Sequence, residues 1–122
     1  MAMNESAENY LEAILMVREE KGAVRSIDIV NHLGFSKPSV SVAMKQLENN
    51  DFITRDKDGY IRLTETGEEI ARMIYERHKL LTDLFISLGV NEQTARDDAC
   101  KIEHDLSEET FECIKKAYAN RK

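Results

Sequence analysis

Residues Ser26 to Thr64 read SIDIVNHLGFSKPSVSVAMKQLENNDFITRDKDGYIRLT, and this stretch decides the fold. Ser26 is placed to cap a short helix carrying Ile27, Ile29, Val30 and Leu33, which Gly34 ends, with Phe35 filling the turn. Ser36 then caps a second helix that tolerates Pro38 in its first turn and offers Val40, Val42 or Ala43, Met44 and Leu47 to the interior. A short helix, a tight turn and a helix with a polar start form a helix-turn-helix. After Asn49 and Asn50 the period changes: Phe52-Ile53-Thr54-Arg55 and Tyr60-Ile61-Arg62-Leu63 are β-prone, and Asp56-Lys57-Asp58-Gly59 is a hairpin turn with Gly at the position that needs positive φ. A hairpin directly after this helix is a wing.

Upstream, Tyr10, Leu11, Ile14, Leu15 and Val17 mark an amphipathic helix that ends near Lys21-Gly22. Downstream, Thr64 caps a long helix through Ile70, Met73, Ile74, Leu80, Leu81, Leu84, Phe85 and Leu88, stopped by Gly89. Asn91 opens a helix to about His104, and Ser107 with Glu108 and Glu109 opens a last one holding Phe111, Ile114 and Tyr118. The expected fold is mainly α: an N-terminal winged helix-turn-helix with a small β-hairpin wing over residues 1–63, followed by a helical region over 64–122.

With 122 residues, 33% of them charged, 42% hydrophobic, one Pro and five Gly, the chain has material for a compact helical protein and little for linkers. No apolar run approaches the roughly 18 residues of a membrane helix, and Met1 to Glu8 lack the pattern of a secretory leader, so a cytoplasmic location is expected. In a reducing compartment Cys100 and Cys113 are expected as a ligand and a packing residue, not a disulfide. The net charge of −6 argues against a sequence-independent nucleic-acid coat. From Ser36 to Arg62, however, Lys37, Lys45, Arg55, Lys57 and Arg62 outnumber Glu48, Asp51, Asp56 and Asp58, so a phosphate-facing surface is expected there.

The DNA-facing candidates are Ser36, Lys37, Ser39, Ser41 and Lys45 on the outer face of the second helix-turn-helix helix, with Arg25 and Ser26 at the entry to the first. Serines and a helix N-terminus bind phosphate, and the lysines add charge. Pro38 and Val42 complete the set on the same helix. The plainer reading makes Ser36 a cap and the lysines solvated side chains. No Arg or Asn sits centrally as a bidentate base reader, so apolar contact and DNA shape carry part of any sequence readout.

A second constellation is chemical. Cys100, Glu103 and His104 put a thiol, a carboxylate and an imidazole at i, i+3 and i+4, which share one helical face. Asn9 and Glu12 add two oxygen donors on the first helix, and His78 a second imidazole on the long one. Mixed O, N and S donors suit Fe²⁺ or Mn²⁺ better than a closed tetrahedral zinc cage. Against this, Cys in a helix is commonly a small buried hydrophobe, a His in an Arg-His-Lys run is commonly a surface residue, and Glu12 can pair with a lysine. There is no Gly-rich phosphate loop, no nucleophile and base pair outside this cluster, and too little chain for a deep substrate pocket, so no enzymatic activity is expected.

Five stretches carry a family resemblance: Glu8-Asn9-Tyr10-Leu11-Glu12-Ala13-Ile14, Ser36-Lys37-Pro38-Ser39-Val40-Ser41, Leu63-Thr64-Glu65-Thr66-Gly67, Arg77-His78-Lys79-Leu80-Leu81 and, most specific, Asp98-Ala99-Cys100-Lys101-Ile102-Glu103-His104-Asp105-Leu106-Ser107. Over nearly its whole length the chain resembles the diphtheria toxin repressor family of metal-dependent regulators, including its shorter manganese-sensing branch. The resemblance implies a winged helix, a helical metal-binding and dimerisation region, a homodimer on a double-stranded DNA operator, and repression of metal homeostasis genes activated by Fe²⁺ or Mn²⁺, with Zn²⁺, Co²⁺ or Ni²⁺ binding in vitro.

Position by position, Glu103, His104 and His78 fall on ligands of both branches, Cys100 on a ligand of the iron branch and Glu12 on one of the manganese branch. Asn9 stands where relatives have Asp or Met. Thr82 and Arg96 replace ligands of the iron branch's second site, so that site is expected to be absent or altered, and Val42 replaces a polar residue that many relatives aim at bases. The chain runs to Lys122 without the SH3-like domain of longer members, which makes a short form the expectation. The competing reading is a metal-independent or thiol-sensing winged-helix regulator with Cys100 as sensor.

Overall fold

The structure, a computed structural model, describes residues 4–121. The reading of the first residues as lacking a leader rests in part on Met1, Ala2 and Met3, which lie outside the described residues. Six helices and one hairpin follow in the order α1 Glu5–Lys21, α2 Ser26–Leu33, α3 Lys37–Asn49, β1 Ile53–Arg55, β2 Ile61–Leu63, α4 Glu65–Ser87, α5 Glu92–Ile102 and α6 Glu108–Arg121. This is the winged helix-turn-helix followed by a helical region that the sequence predicts. By its internal packing the chain divides into two compact units, one running to Met73 and the other from Ile74, so α4 contributes to both. The expected boundary at 63/64 lies where α4 begins.

In the first unit, α1 starts where Asn4 accepts from the Ala7 amide (2.8 Å) and stops at Gly22, whose φ of 83° lets its N–H turn back to the Arg18 carbonyl. Leu11, Ile14, Leu15, Ile29, Val40, Met44, Leu47 and Ile53 are fully buried and form the core, each contributing about 1.5–3 kcal/mol. The α3 stripe resolves the choice left open in sequence: Val40, Ala43, Met44 and Leu47 face inward, while Val42 is 58% exposed. Three expectations change. The N-cap of α2 is Arg25, and Ser26 is already helical; the Asp28 carboxylate accepts from the Arg25 N–H (2.9 Å) in place of a serine cap. In α2 only Ile29 is buried, and Ile27 is 43% exposed. Phe35 stays half in solvent and packs edge-on against Tyr10 at 5.9 Å.

The wing pairs Ile53 with Leu63, Thr54 with Arg62 and Arg55 with Ile61, so the strands are shorter than the β-prone runs. Asp56 closes the turn by accepting the Asp58 and Tyr60 amides (2.9 and 3.0 Å), with Gly59 at φ 86°. Ile61 N–H donates to the Val24 carbonyl (2.8 Å), which ties the wing to the segment after α1. Thr64 caps α4 as expected, accepting from Gly67 N–H (3.1 Å) while its hydroxyl donates to the Asp51 carbonyl (2.6 Å). A Cβ at Gly67 would overlap the Phe52 carbonyl oxygen, so glycine is required there for room.

In the second unit, Ile74, Leu81, Ala95, Ala99 and Phe111 form the apolar core around a buried arginine, Arg77, and a fully buried carboxylate, Glu103. Asn91 accepts the Gln93 and Thr94 amides (2.9 and 3.4 Å) at the start of α5, and Ser107 accepts the Thr110 amide (3.1 Å) at the start of α6. α5 ends at Ile102, short of the expected His104, with Glu103 as its C-cap. Among the described residues no helix is long and apolar enough to cross a membrane.

Candidate metal centre and nucleic-acid interface

The second unit gathers donors from two places in the chain. His78 stands on α4, and Glu103 and His104 follow α5, where the Glu103 N–H still donates to the Ala99 carbonyl (3.0 Å). Glu103 retains helical dihedrals (φ −59°, ψ −26°), so the expected i, i+3 direction persists although the helix has ended. Its carboxylate is completely buried: Oε2 lies 2.9 Å from His78 Nδ1, and Oε1 lies 3.4 Å from His104 Nε2. The His104 side chain is itself only 2% exposed. One carboxylate held between two imidazoles, away from solvent, is a hard and borderline donor set that fits a divalent first-row ion.

The remaining metal candidates are placed differently. Cys100 lies on α5 with an exposed side chain, and Cys113, expected as a packing residue, is exposed on α6; neither is in a disulfide. Cys113 is not packed because Phe111 takes the inward position of that turn. In the first unit Asn9 and Glu12 sit three residues apart on α1, Asn9 half-buried and Glu12 buried. Thr82 is buried on α4, while the Arg96 guanidinium is engaged with Glu92 on the surface of α5 (2.6 Å).

Sequence reasoning passed over one residue of this site. Arg77, read as part of a charged run and of a family stretch but given no role, is buried and donates from Nη1 to the carbonyls of Glu103 (3.1 Å) and Leu106 (2.6 Å). Its position was nonetheless signalled, since it stands three residues after Ile74 and four before Leu81 on the buried stripe.

The outer face of α3 presents Lys37, Pro38, Ser39, Ser41, Val42 and Lys45 to solvent. Ser36 caps the helix by accepting the Ser39 amide (3.3 Å), and its hydroxyl donates to Ser39 Oγ (2.9 Å). Arg25 is engaged with the wing: Nη2 donates to the Asp58 carbonyl (2.8 Å), and the guanidinium sits 4.4 Å over the Tyr60 ring. Ser26 is half-buried beside it. Arg55 Nη2 pairs with Glu48 (2.9 Å), which fastens the wing to α3.

A winged helix with a solvent-facing α3, joined in one chain to helices that gather a buried carboxylate and two imidazoles, defines a metal-responsive transcriptional regulator. Residues 2–61 match the model of the iron dependent repressor N-terminal DNA binding domain, and residues 64–122 match the iron dependent repressor metal binding and dimerisation domain. The chain belongs to this family, the diphtheria toxin repressor family of metal-dependent DNA-binding transcriptional repressors. It is 33% identical over 115 residues to a helix-turn-helix transcriptional regulator of Methanocaldococcus jannaschii, covering 93% of this chain and 92% of that one. It is also 33% identical to the transcriptional regulator MntR of Escherichia coli O157:H7, covering 91% of this chain and 72% of the relative. The solved manganese regulator SloR superposes with a TM-score of 0.80 at 27% identity over 98% of this chain, which spans 55% of the SloR chain.

Proposed function

We propose that the chain acts as a cytoplasmic homodimer that binds a double-stranded DNA operator through α3 when loaded with Fe²⁺ or Mn²⁺, releases it when metal is withdrawn, and has no catalytic role. The observation that carries this reading is the fully buried Glu103 carboxylate between His78 and His104. The iron-dependent description of the family and the manganese regulator SloR support these two ions. His78, Glu103 and His104 would hold the ion, with Glu12, Asn9 and Cys100 completing the set by resemblance. The ion would supply positive charge that lets buried donors remain ionised and oriented. An ion that binds one state of the chain more tightly than another would shift it toward that state, and this would couple metal to DNA. The thiol-sensing reading is not favoured, since the family is defined by metal binding.

Selection of DNA from a random pool with Mn²⁺ or Fe²⁺, followed by affinity measurements in excess metal and in excess chelator, tests this. Metal is expected to tighten operator binding by about 5 to 150-fold, the usual range of such coupling. Equal affinity in both conditions would overturn the switch, and recovery of no DNA sequence in either would remove the operator.

A further inference from the structure

Arg77 stands next to His78 on α4 and points into the second unit, where it is only 5% exposed. Moving a guanidinium out of water is costly, so it must find compensating partners. It finds them at the end of α5. Nη1 donates to the carbonyl of Glu103 (3.1 Å) and to that of Leu106 (2.6 Å). The Glu103 oxygen belongs to the C-cap of α5, where helix carbonyls lack intrahelical partners and carry partial negative charge, and the Leu106 oxygen belongs to the turn that leads into α6. The guanidinium carbon also lies 5.2 Å from the centre of the Phe111 ring on α6. Nε is buried with no hydrogen-bond partner, so the group's orientation serves the carbonyls and the ring at the expense of its own third nitrogen.

The two carbonyls bracket residues 103–106, the segment that carries Glu103 and His104. One planar, rigid group on the helix of His78 therefore holds both ends of the turn that presents the other two donors. We propose that Arg77 is a positioning residue for the metal centre: by pinning the Glu103 and Leu106 carbonyls it sets where the Glu103 carboxylate and the His104 imidazole stand relative to His78. This rests on the metal reading above. Lysine replaces it only in part, because an ammonium can reach the two carbonyls but does not stack on Phe111 as a plane and is not held in one orientation by it.

Full-length Arg77→Lys and Arg77→Met are titrated with Co²⁺ alone, following the d–d absorption, and their metal-free forms are melted. Both variants are expected to fold, to bind Co²⁺ about 10 to 100-fold more weakly, and to show a shifted d–d band, with Arg77→Lys recovering only part of the affinity. Wild-type affinity and spectrum in both, with a lowered melting temperature, would make Arg77 a structural clamp only and overturn the proposal. If Arg77→Met does not fold, Phe111→Leu takes its place, since it withdraws the ring and leaves both carbonyls; an unshifted band there and in Arg77→Lys overturns the proposal equally. Glu103→Ala separates the two levels. If it binds Co²⁺ as wild type does, the metal reading and this proposal fall together; if it loses the ion while the Arg77 variants keep it, positioning alone fails.

Discussion

Two carboxylates of the first unit, Glu68 and Asp28, are held below their ordinary values. For Glu68 the largest cause is the Arg18 guanidinium, which donates to both carboxylate oxygens at 2.7 Å; for Asp28 it is the Lys21 ammonium, helped by the Arg25 amide. A folded pKa below the unfolded one means that the unfolded chain takes up more protons in acid. The stability they contribute is therefore present above the usual carboxylate range near pH 4 and is lost as pH falls through their folded values. Both pairs are partly open to solvent, so each is worth only about 0.2–1 kcal/mol. Urea unfolding of wild type and Glu68→Gln at pH 6 and pH 3.5 is expected to show a shallower loss in the variant, and parallel losses would exclude the Arg18 pair as a source. At this scale the sequence was partly legible. The spacing of Glu103 and His104 singled them out as candidate donors because residue type and i, i+3, i+4 periodicity are local. The exposure of Cys100 and Cys113 and the burial of Arg77 were not legible, because burial is decided by which neighbour takes the inward position of a turn.

Among the elements, α3 and the wing carry the DNA reading. Lys37 and Lys45 project from the solvent side of α3, whose inner side is closed by Val40, Ala43, Met44 and Leu47. Replacing either lysine by Ala is expected to weaken operator binding, to reduce the slope of log K against log salt by about 1 for each phosphate no longer neutralised, and to leave metal affinity of the DNA-free protein unchanged. An unaltered salt slope, measured by fluorescence anisotropy from about 50 to 200 mM salt, would take that lysine off the phosphate backbone. Arg25→Ala is a different case, since Arg25 holds Asp58 and Tyr60 and acts on the wing's shape. The caps at Ser36, Thr64, Asn91 and Ser107 and the turn at Gly59 were readable because one side chain or one positive φ decides each. The α2 cap was not, since the helix begins one residue earlier than a Ser26 cap requires and is fixed by the Asp28 carboxylate reaching back to the Arg25 N–H.

For the molecule as a whole, Met73, Ile86, Leu88 and Ile102 remain 43, 41, 62 and 38% exposed; the first two lie on α4, Leu88 just beyond it and Ile102 on α5. Apolar surface of this kind is expected to be covered by a second copy of the chain. Sedimentation at micromolar concentration should return a dimer, and Leu88→Glu should shift it toward monomer; a wild-type monomer with and without metal would leave that surface unexplained. The uneven charge has a further consequence. The chain carries −6 overall, yet α3 offers lysines and hydroxyls with no acidic side chain exposed among residues 37–45. Lys37 and Lys45 therefore offer a phosphate backbone an approach at α3 that the net charge of the chain alone does not. The net negative charge is thereby expected to shorten chance stays on DNA, so that the contacts made at α3 weigh more in deciding where the regulator rests.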